Sequence, residues 1–143
     1  MAVQIYLIRH GQTPNNITGE RLYNEGLTEL GRAQAERLAL ALAQTGLTAV
    51  VCSPLLRAME TAVPIAAAAG VALDVSNDLV ELNRWDAYVG ASREELATRF
   101  PGVRLEPTMP AAGWPIWGPN RSRTACGGWS GCWPASPRCR RVR

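Results

Sequence analysis

Ile5-Tyr6-Leu7-Ile8-Arg9-His10-Gly11-Gln12-Thr13 is the stretch on which the reading of this chain turns. A short apolar run stops at an arginine, at the only histidine among 143 residues, and then at a glycine. Apolar runs of this length, carrying residues such as Val3, Ile5, Tyr6 and Ile8 and bounded by a glycine, predict a buried strand. Arg9 and His10 then stand at the carboxyl end of a parallel strand, the edge of an open α/β sheet where ligands bind. A lone histidine is most often a satisfied structural residue; between Arg9 and Gly11 at a strand end it reads as chemistry.

Outward from that stretch, residues 11–27 are rich in Gly, Asn and Thr and read as a loop. Thr28 is a good N-cap, with Glu29 in the first turn of the helix it opens. Leu30, Ala33, Leu38, Ala41 and Leu42 predict its apolar face, Glu29, Arg32 and Glu36 its polar one, and Gly46 its C-cap. Thr48 to Cys52 reads as a second strand. Ser53 and Pro54 read as the N-cap and first residue of a second helix, which buries Leu55, Ala58, Met59, Ala62 and Ala66. Pro64 is expected to kink that helix, which ends near Gly70. Val71 to Val75 predicts a third strand, Asn77-Asp78 a turn, and Ser92-Arg93-Glu94-Glu95 a capping box on a short helix that stops before Pro101-Gly102. Strands alternating with helices imply right-handed crossovers and a parallel sheet, an α/β fold.

LIRHGQT resembles the opening motif of the histidine phosphatase superfamily, the phosphoglycerate mutase-like group. Two further passages match that family in order: Leu27-Thr28-Glu29-Leu30-Gly31-Arg32-Ala33-Gln34-Ala35, and Ser53-Pro54-Leu55-Leu56-Arg57-Ala58-Met59-Glu60-Thr61-Ala62. The resemblance covers roughly residues 3–106. It implies a three-layer αβα fold with a mostly parallel sheet, and a phosphatase acting on a small phosphate monoester through phosphohistidine. A phosphoglycerate mutase-type phosphotransferase is the alternative within the family; the shortness of the chain favours the phosphatase.

The residue types suit that chemistry. A neutral imidazole nitrogen of His10 can attack phosphorus and hold the phosphoryl group until water takes it. Arg9 and Arg57 form the expected phosphate clamp, since guanidinium forks meet phosphoryl oxygens two at a time, and a helix N-terminus beside Arg57 favours the same anion. Gly11 permits close backbone approach, with Gln12 and Thr13 lining the entry. The resemblance assigns Asn16 to a phosphate hydrogen bond, with Asn15 able to serve instead. It assigns Glu81 to proton donation onto the leaving oxygen, a role on the order of 10² to 10⁴-fold in rate. Asp86, in the irregular segment Asn83-Arg84-Trp85-Asp86, is the fallback. No His/Cys/carboxylate set suggests a metal, and no cofactor is expected.

Composition bounds the rest. Residues 1–106 hold 9 Arg and 12 acidic residues, a net −3, whereas residues 107–143 hold 6 Arg and no acid, a net +6; lysine is absent throughout. The N-terminus lacks the basic and apolar regions of a signal peptide, and no apolar run is long enough to span a bilayer, so a soluble cytoplasmic protein is expected. Cys52 reads as a small core residue, and the spacings of Cys126, Cys132 and Cys139 fit neither a zinc site nor a disulfide framework. From Pro107 the chain holds 4 of its 5 Trp, 3 of its 4 Cys and 6 of its 10 Pro, with no visible periodicity. It reads as an irregular, disordered tail. A basic, Trp-rich tail permits nucleic-acid binding, but no such module is visible and no nucleic-acid partner is expected. The family's second histidine has no counterpart here, and its strand and helix would fall in this tail. Residues drawn from G/C-rich codons suggest a shift of reading frame near residues 107–113. A remnant that binds phosphate without turnover is therefore the reading from another class.

Overall fold

Helix caps and short parallel strands build the architecture, which a computed structural model describes for residues 3–20, 24–80, 88–109 and 115–116. Within the predicted loop, Asn15–Thr18 close into one helical turn, α1, ended by Gly19 at φ 71°. Thr28 is extended and its hydroxyl accepts from the Gly31 amide at 3.0 Å, so α2 (Glu29–Leu42) opens at the predicted cap. It closes earlier than Gly46. Thr45 takes the Leu42 carbonyl through its amide at 3.0 Å and its hydroxyl at 2.7 Å.

The next helix, α3 (Leu56–Ala69), begins two residues beyond the expected start at Pro54. The reason is local: Ser53 Oγ accepts from the Leu55 amide at 3.3 Å, and Leu55 stays extended. Leu55 has no side chain with which to cap. Asn24, from the loop ahead of α2, supplies the acceptor instead, its Oδ1 taking the Leu56 amide at 3.0 Å. Pro64 sits inside α3, where it withholds the amide that would reach Glu60 O. Gly70, left-handed at φ 67°, ends the helix where expected. The last helix, α4 (Arg93–Arg99), carries both bonds of its Ser92–Glu95 capping box, and the Ser92 amide, with the Ser92 side chain second, holds the Glu95 carboxyl below its usual range.

Among the described residues the strands are β1 (Val50–Cys52), β2 (Leu73–Val75), β3 (Tyr88–Val89), β4 (Arg104–Leu105) and β5 (Pro115–Ile116). The order β1-β2-β4 is a parallel sheet, with Val51 opposite Asp74 and Asp74 opposite Arg104. The α/β class with parallel strands is thus present. The short β3 and β5 pair antiparallel, Tyr88 with Ile116 and Val89 with Pro115. β5 comes from the stretch without visible periodicity.

One core joins the sheet to α3 and α4: Cys52, Leu55, Met59, Ala62, Ala66, Leu73, Val75, Leu96 and Met109. Across each strand the alternate residues point the other way, and Val51 remains exposed on that face. Arg104 Nε pairs there with Asp74 Oδ1 at 2.8 Å, both side chains open to solvent. The buried stripe of α2 differs from the predicted one. It is Gly31, Ala35, Ala39 and Leu42, while Leu30, Ala33 and Ala41 face solvent. Small residues four apart let the α2 backbone approach its neighbours, and a count of large apolar side chains overlooks such a stripe.

The largest departure is at the N-terminus. Residues 3–8, expected as a buried strand, belong to no strand, with Val3 84% and Leu7 94% exposed. The physical reason is pairing. A strand is stable only beside another that satisfies its amides and carbonyls, and β1, the sheet's edge, pairs only with β2 among the described residues. No described helix is long and apolar enough to cross a membrane.

Candidate active site

His10 lies where the exposed N-terminal segment turns onto the helices. Its Nδ1 is 2.7 Å from Gly11 O. A carbonyl can only accept, so this contact is a hydrogen bond when Nδ1 carries the proton, and in the neutral ring of that tautomer Nε2 has the lone pair. An imidazole held in this tautomer presents Nε2 as a nucleophile.

The loop that carries His10 is fixed by helices. Gly11 N donates to Thr61 Oγ1 at 3.1 Å, and Thr61 Oγ1 donates to Arg57 O at 2.7 Å, one turn back along α3. Gln12 N donates to Gln34 Oε1 at 2.9 Å, and Gln12 O accepts from Thr28 N at 2.9 Å. The Thr28 hydroxyl also reaches Gln12 Oε1 at 2.9 Å. Two glycines make this approach possible. A Cβ on Gly11 would stand 2.5 Å from Gly31 O, and one on Gly31 would collide with Gln12 O. The His10 loop therefore rests on the first turn of α2, backbone against backbone.

Thr13 is buried, and its amide and hydroxyl both donate to Asn16 Oδ1, at 2.9 and 3.2 Å. These two donors identify the atom facing Thr13 as the Asn16 oxygen, which leaves the NH₂ of this exposed side chain on the other side of its amide plane from Thr13. Asn15 is held through its backbone, its amide donating to Glu25 Oε2 at 3.1 Å. Arg57 is the second residue of α3, nearer the helix N-terminus than the predicted cap would place it, and it is half-buried. Arg9 is exposed beside His10. Glu81 and the alternative Asp86 lie outside the described residues. Among the described residues, no group of three His, Cys, Asp or Glu side chains could hold a metal ion.

Several residues that shape this loop escape a motif-by-motif reading. Thr61 is one; its signal is a threonine four residues after Arg57, spaced to bond the carbonyl one turn back. Gly31 is another; a glycine early in a helix marks close backbone approach. Glu60 is the third. Its Oε2 accepts from Leu27 N at 2.6 Å and its Oε1 pairs with Arg99 Nη2 at 2.6 Å, which ties the segment before α2 to α3 and α4.

The sequence profile of the Histidine phosphatase superfamily (branch 1) matches residues 5–118, beyond the boundary near 106 that the motifs suggest. A Mycobacterium tuberculosis glucosyl-3-phosphoglycerate phosphatase is 34% identical over 107 residues, covering 73% of this chain and 47% of that protein. An uncharacterised protein of the same organism is 44% identical over 80 residues, covering 54% of this chain and 40% of its own length. Among solved structures, mycobacterial glucosyl-3-phosphoglycerate phosphatase complexed with VO3 has a TM-score of 0.49 at 34% identity, over 65% of this chain and 45% of that one. A silkworm ecdysone phosphate phosphatase in complex with tungstate, at 20% identity, shares the fold with a TM-score of 0.50 over 76% of this chain and 44% of that one. The chain spans less than half the length of the curated relatives just described. With motif, fold and profile in agreement, the chain belongs to the histidine phosphatase superfamily.

Proposed function

We propose that this chain is a phosphatase that hydrolyses a small phosphate monoester through a phosphohistidine intermediate on His10. The observation that carries the reading is the 2.7 Å contact between His10 Nδ1 and Gly11 O, which favours the neutral tautomer with its proton on Nδ1 and its lone pair on Nε2. Nε2 attacks phosphorus, the bond to the leaving oxygen breaks, and Glu81 gives that oxygen a proton. Water then attacks the phosphohistidine, Glu81 takes back a proton, and inorganic phosphate leaves with His10 restored. Arg9 and Arg57 hold the equatorial oxygens as charge spreads over them, and the Asn16 NH₂ donates to the same group. Gly11 and Gln12 form the lip of the site, and Thr13, expected beside them, lies buried behind it and fixes Asn16. No metal or cofactor has a place in this scheme. Glucosyl-3-phosphoglycerate, the substrate named for the 34%-identical relative, sets the class to test first: a phosphorylated sugar acid.

The second reading is a remnant that binds phosphate without turning over. It is favoured by the absence of a second histidine and by the unpaired, exposed residues 3–8. Losing one oxyanion-type donor costs on the order of 10² to 10³ in rate. Metal-free hydrolysis of an aryl phosphate, run beside His10→Ala, separates the two. Turnover that vanishes in the variant supports the phosphatase; phosphate binding with no turnover in the parent chain overturns it in favour of the remnant.

A further inference from the structure

We infer that Thr61 is a positioning residue that keeps His10 in its nucleophilic tautomer. The geometry is a short relay of hydrogen bonds. Thr61 is only 4% exposed, and its one hydroxyl works in both directions: it donates to Arg57 O at 2.7 Å and accepts from Gly11 N at 3.1 Å. Gly11 O, on the far side of the same glycine, accepts from His10 Nδ1 at 2.7 Å. Glycine has the widest backbone freedom of any residue, so its carbonyl faces one way only if the peptides on either side are held. Gln34 holds the Gly11–Gln12 peptide through Gln12 N at 2.9 Å. Thr61 holds the His10–Gly11 peptide, from which the imidazole itself departs.

Two properties follow. The Thr61 hydroxyl bonds both the helix that carries Arg57 and the loop that carries His10, so their relative position depends on a residue that need not touch substrate. The imidazole tautomer is also set from Thr61. With Gly11 O in place the proton sits on Nδ1, whereas free imidazole side chains in water favour Nε2–H, in which the attacking nitrogen is blocked. The kinetic side of this inference rests on the phosphatase reading; the tautomer side does not.

His10 is the only histidine, so the full chain labelled with [¹⁵N]histidine reports on this ring alone. At mildly alkaline pH the parent chain is expected to show a protonated Nδ1 and a bare Nε2. Thr61→Val keeps the side-chain shape but removes both hydrogen bonds, and should move the ring toward Nε2–H; Thr61→Ser should restore the parent signal. In aryl phosphate hydrolysis Thr61→Val should lower kcat on the order of tenfold with little change in KM, again rescued by serine. A folded Thr61→Val with the parent tautomer overturns the inference, whatever its rate. A parent chain without turnover removes the phosphatase reading, yet the nitrogen signals still decide the role of Thr61. If Thr61→Val fails to fold, the parent decides alone: a Gly11 amide protected from exchange with Nδ1–H supports the relay, and an unprotected amide or an Nε2–H ring refutes it.

Discussion

Replacing Gly31 by alanine sets two effects of opposite sign against each other. Alanine is a better helix former than glycine, by at most about 1 kcal/mol and by roughly half that in a first turn. If Gly31 were an ordinary helical residue, Gly31→Ala would stabilise the chain. The new Cβ, however, would collide with Gln12 O and stand 2.9 Å from Gln12 N, backbone atoms with no flexible end to swing away. Overpacking of this kind costs about 1–3 kcal/mol, so the net expectation is a loss of roughly 1–2 kcal/mol. For a domain of this size that is a fall in Tm of roughly 3–8 °C. The displaced loop is the one that carries His10, whose Nδ1 meets Gly11 O and whose next two residues bond Thr61, Gln34 and Thr28, so aryl phosphate turnover should fall further than stability alone explains. Thermal unfolding beside hydrolysis measures both. Ala33→Gly, on the exposed side of the same helix, is the control: it should lose about 1 kcal/mol by propensity while leaving turnover per folded molecule unchanged. A Gly31→Ala chain with an unchanged or higher Tm would refute the seating of the loop on α2.

Three further outcomes test other joints. Glu60→Gln should cost about 1.5–3 kcal/mol in denaturant unfolding, because the Leu27 amide at 2.6 Å loses a charged acceptor, whereas Arg99→Ala should cost under about 1 kcal/mol. The Arg99 side chain is 53% exposed against 16% for Glu60, and equal losses would show that the ion pair, not the amide, matters. Asn24→Ala should cost about 1 kcal/mol, as for a direct N-cap, since it leaves the Leu56 amide without its 3.0 Å acceptor; a change within a few tenths would mean that water caps α3 equally well. Burial pushes the Cys52 thiol from 9.0 up to about 12. The folded chain therefore keeps a proton that the unfolded chain releases. Its contribution to stability is intact below pH 9 and declines as pH rises toward 12, by up to about 1.4 kcal/mol per pH unit. Cys52→Ala should flatten that decline relative to the parent in alkaline urea titrations, and parallel curves would place Cys52 in contact with water.

What the sequence announces correctly is what local chemistry determines. Thr28 and Ser92 cap their helices because a hydroxyl one step ahead of a helix can reach its own first turn. Gly70 ends α3 because a left-handed residue suits glycine. The errors come where a distant partner decides. Ser53 looks like a cap, but the helix starts later and is capped by Asn24, 32 residues away. Leu30 looks like core, but the glycine and alanines beside it allow the closer approach and take the buried side. Apolar residues 3–8 have every mark of a strand and no strand beside them. For the site, the motifs announce the residues proposed to meet phosphate and conceal those that hold them, since Thr61, Gln34 and Glu60 act through backbone amides that no side-chain pattern displays.

This difference bears on how the His10 site can be organised while residues 3–8 stand unpaired. Sequence logic hangs the histidine on the end of a strand, so a missing neighbour strand would leave the nucleophile adrift. The hydrogen bonds describe another support. Thr61 holds Gly11 from α3, Gln34 and Thr28 hold Gln12 from α2, and Gly31 provides the floor beneath them. Each of these contacts lies after His10 in the chain, and none uses the strand that should precede it. Fixing the position of the imidazole and fixing the sheet are thus separable in this fold. The unpaired N-terminal segment bears on stability and association through its exposed apolar row, as an edge open to pairing does. The tautomer and placement of His10 depend instead on two helices whose caps, core and small-residue stripe are all in place.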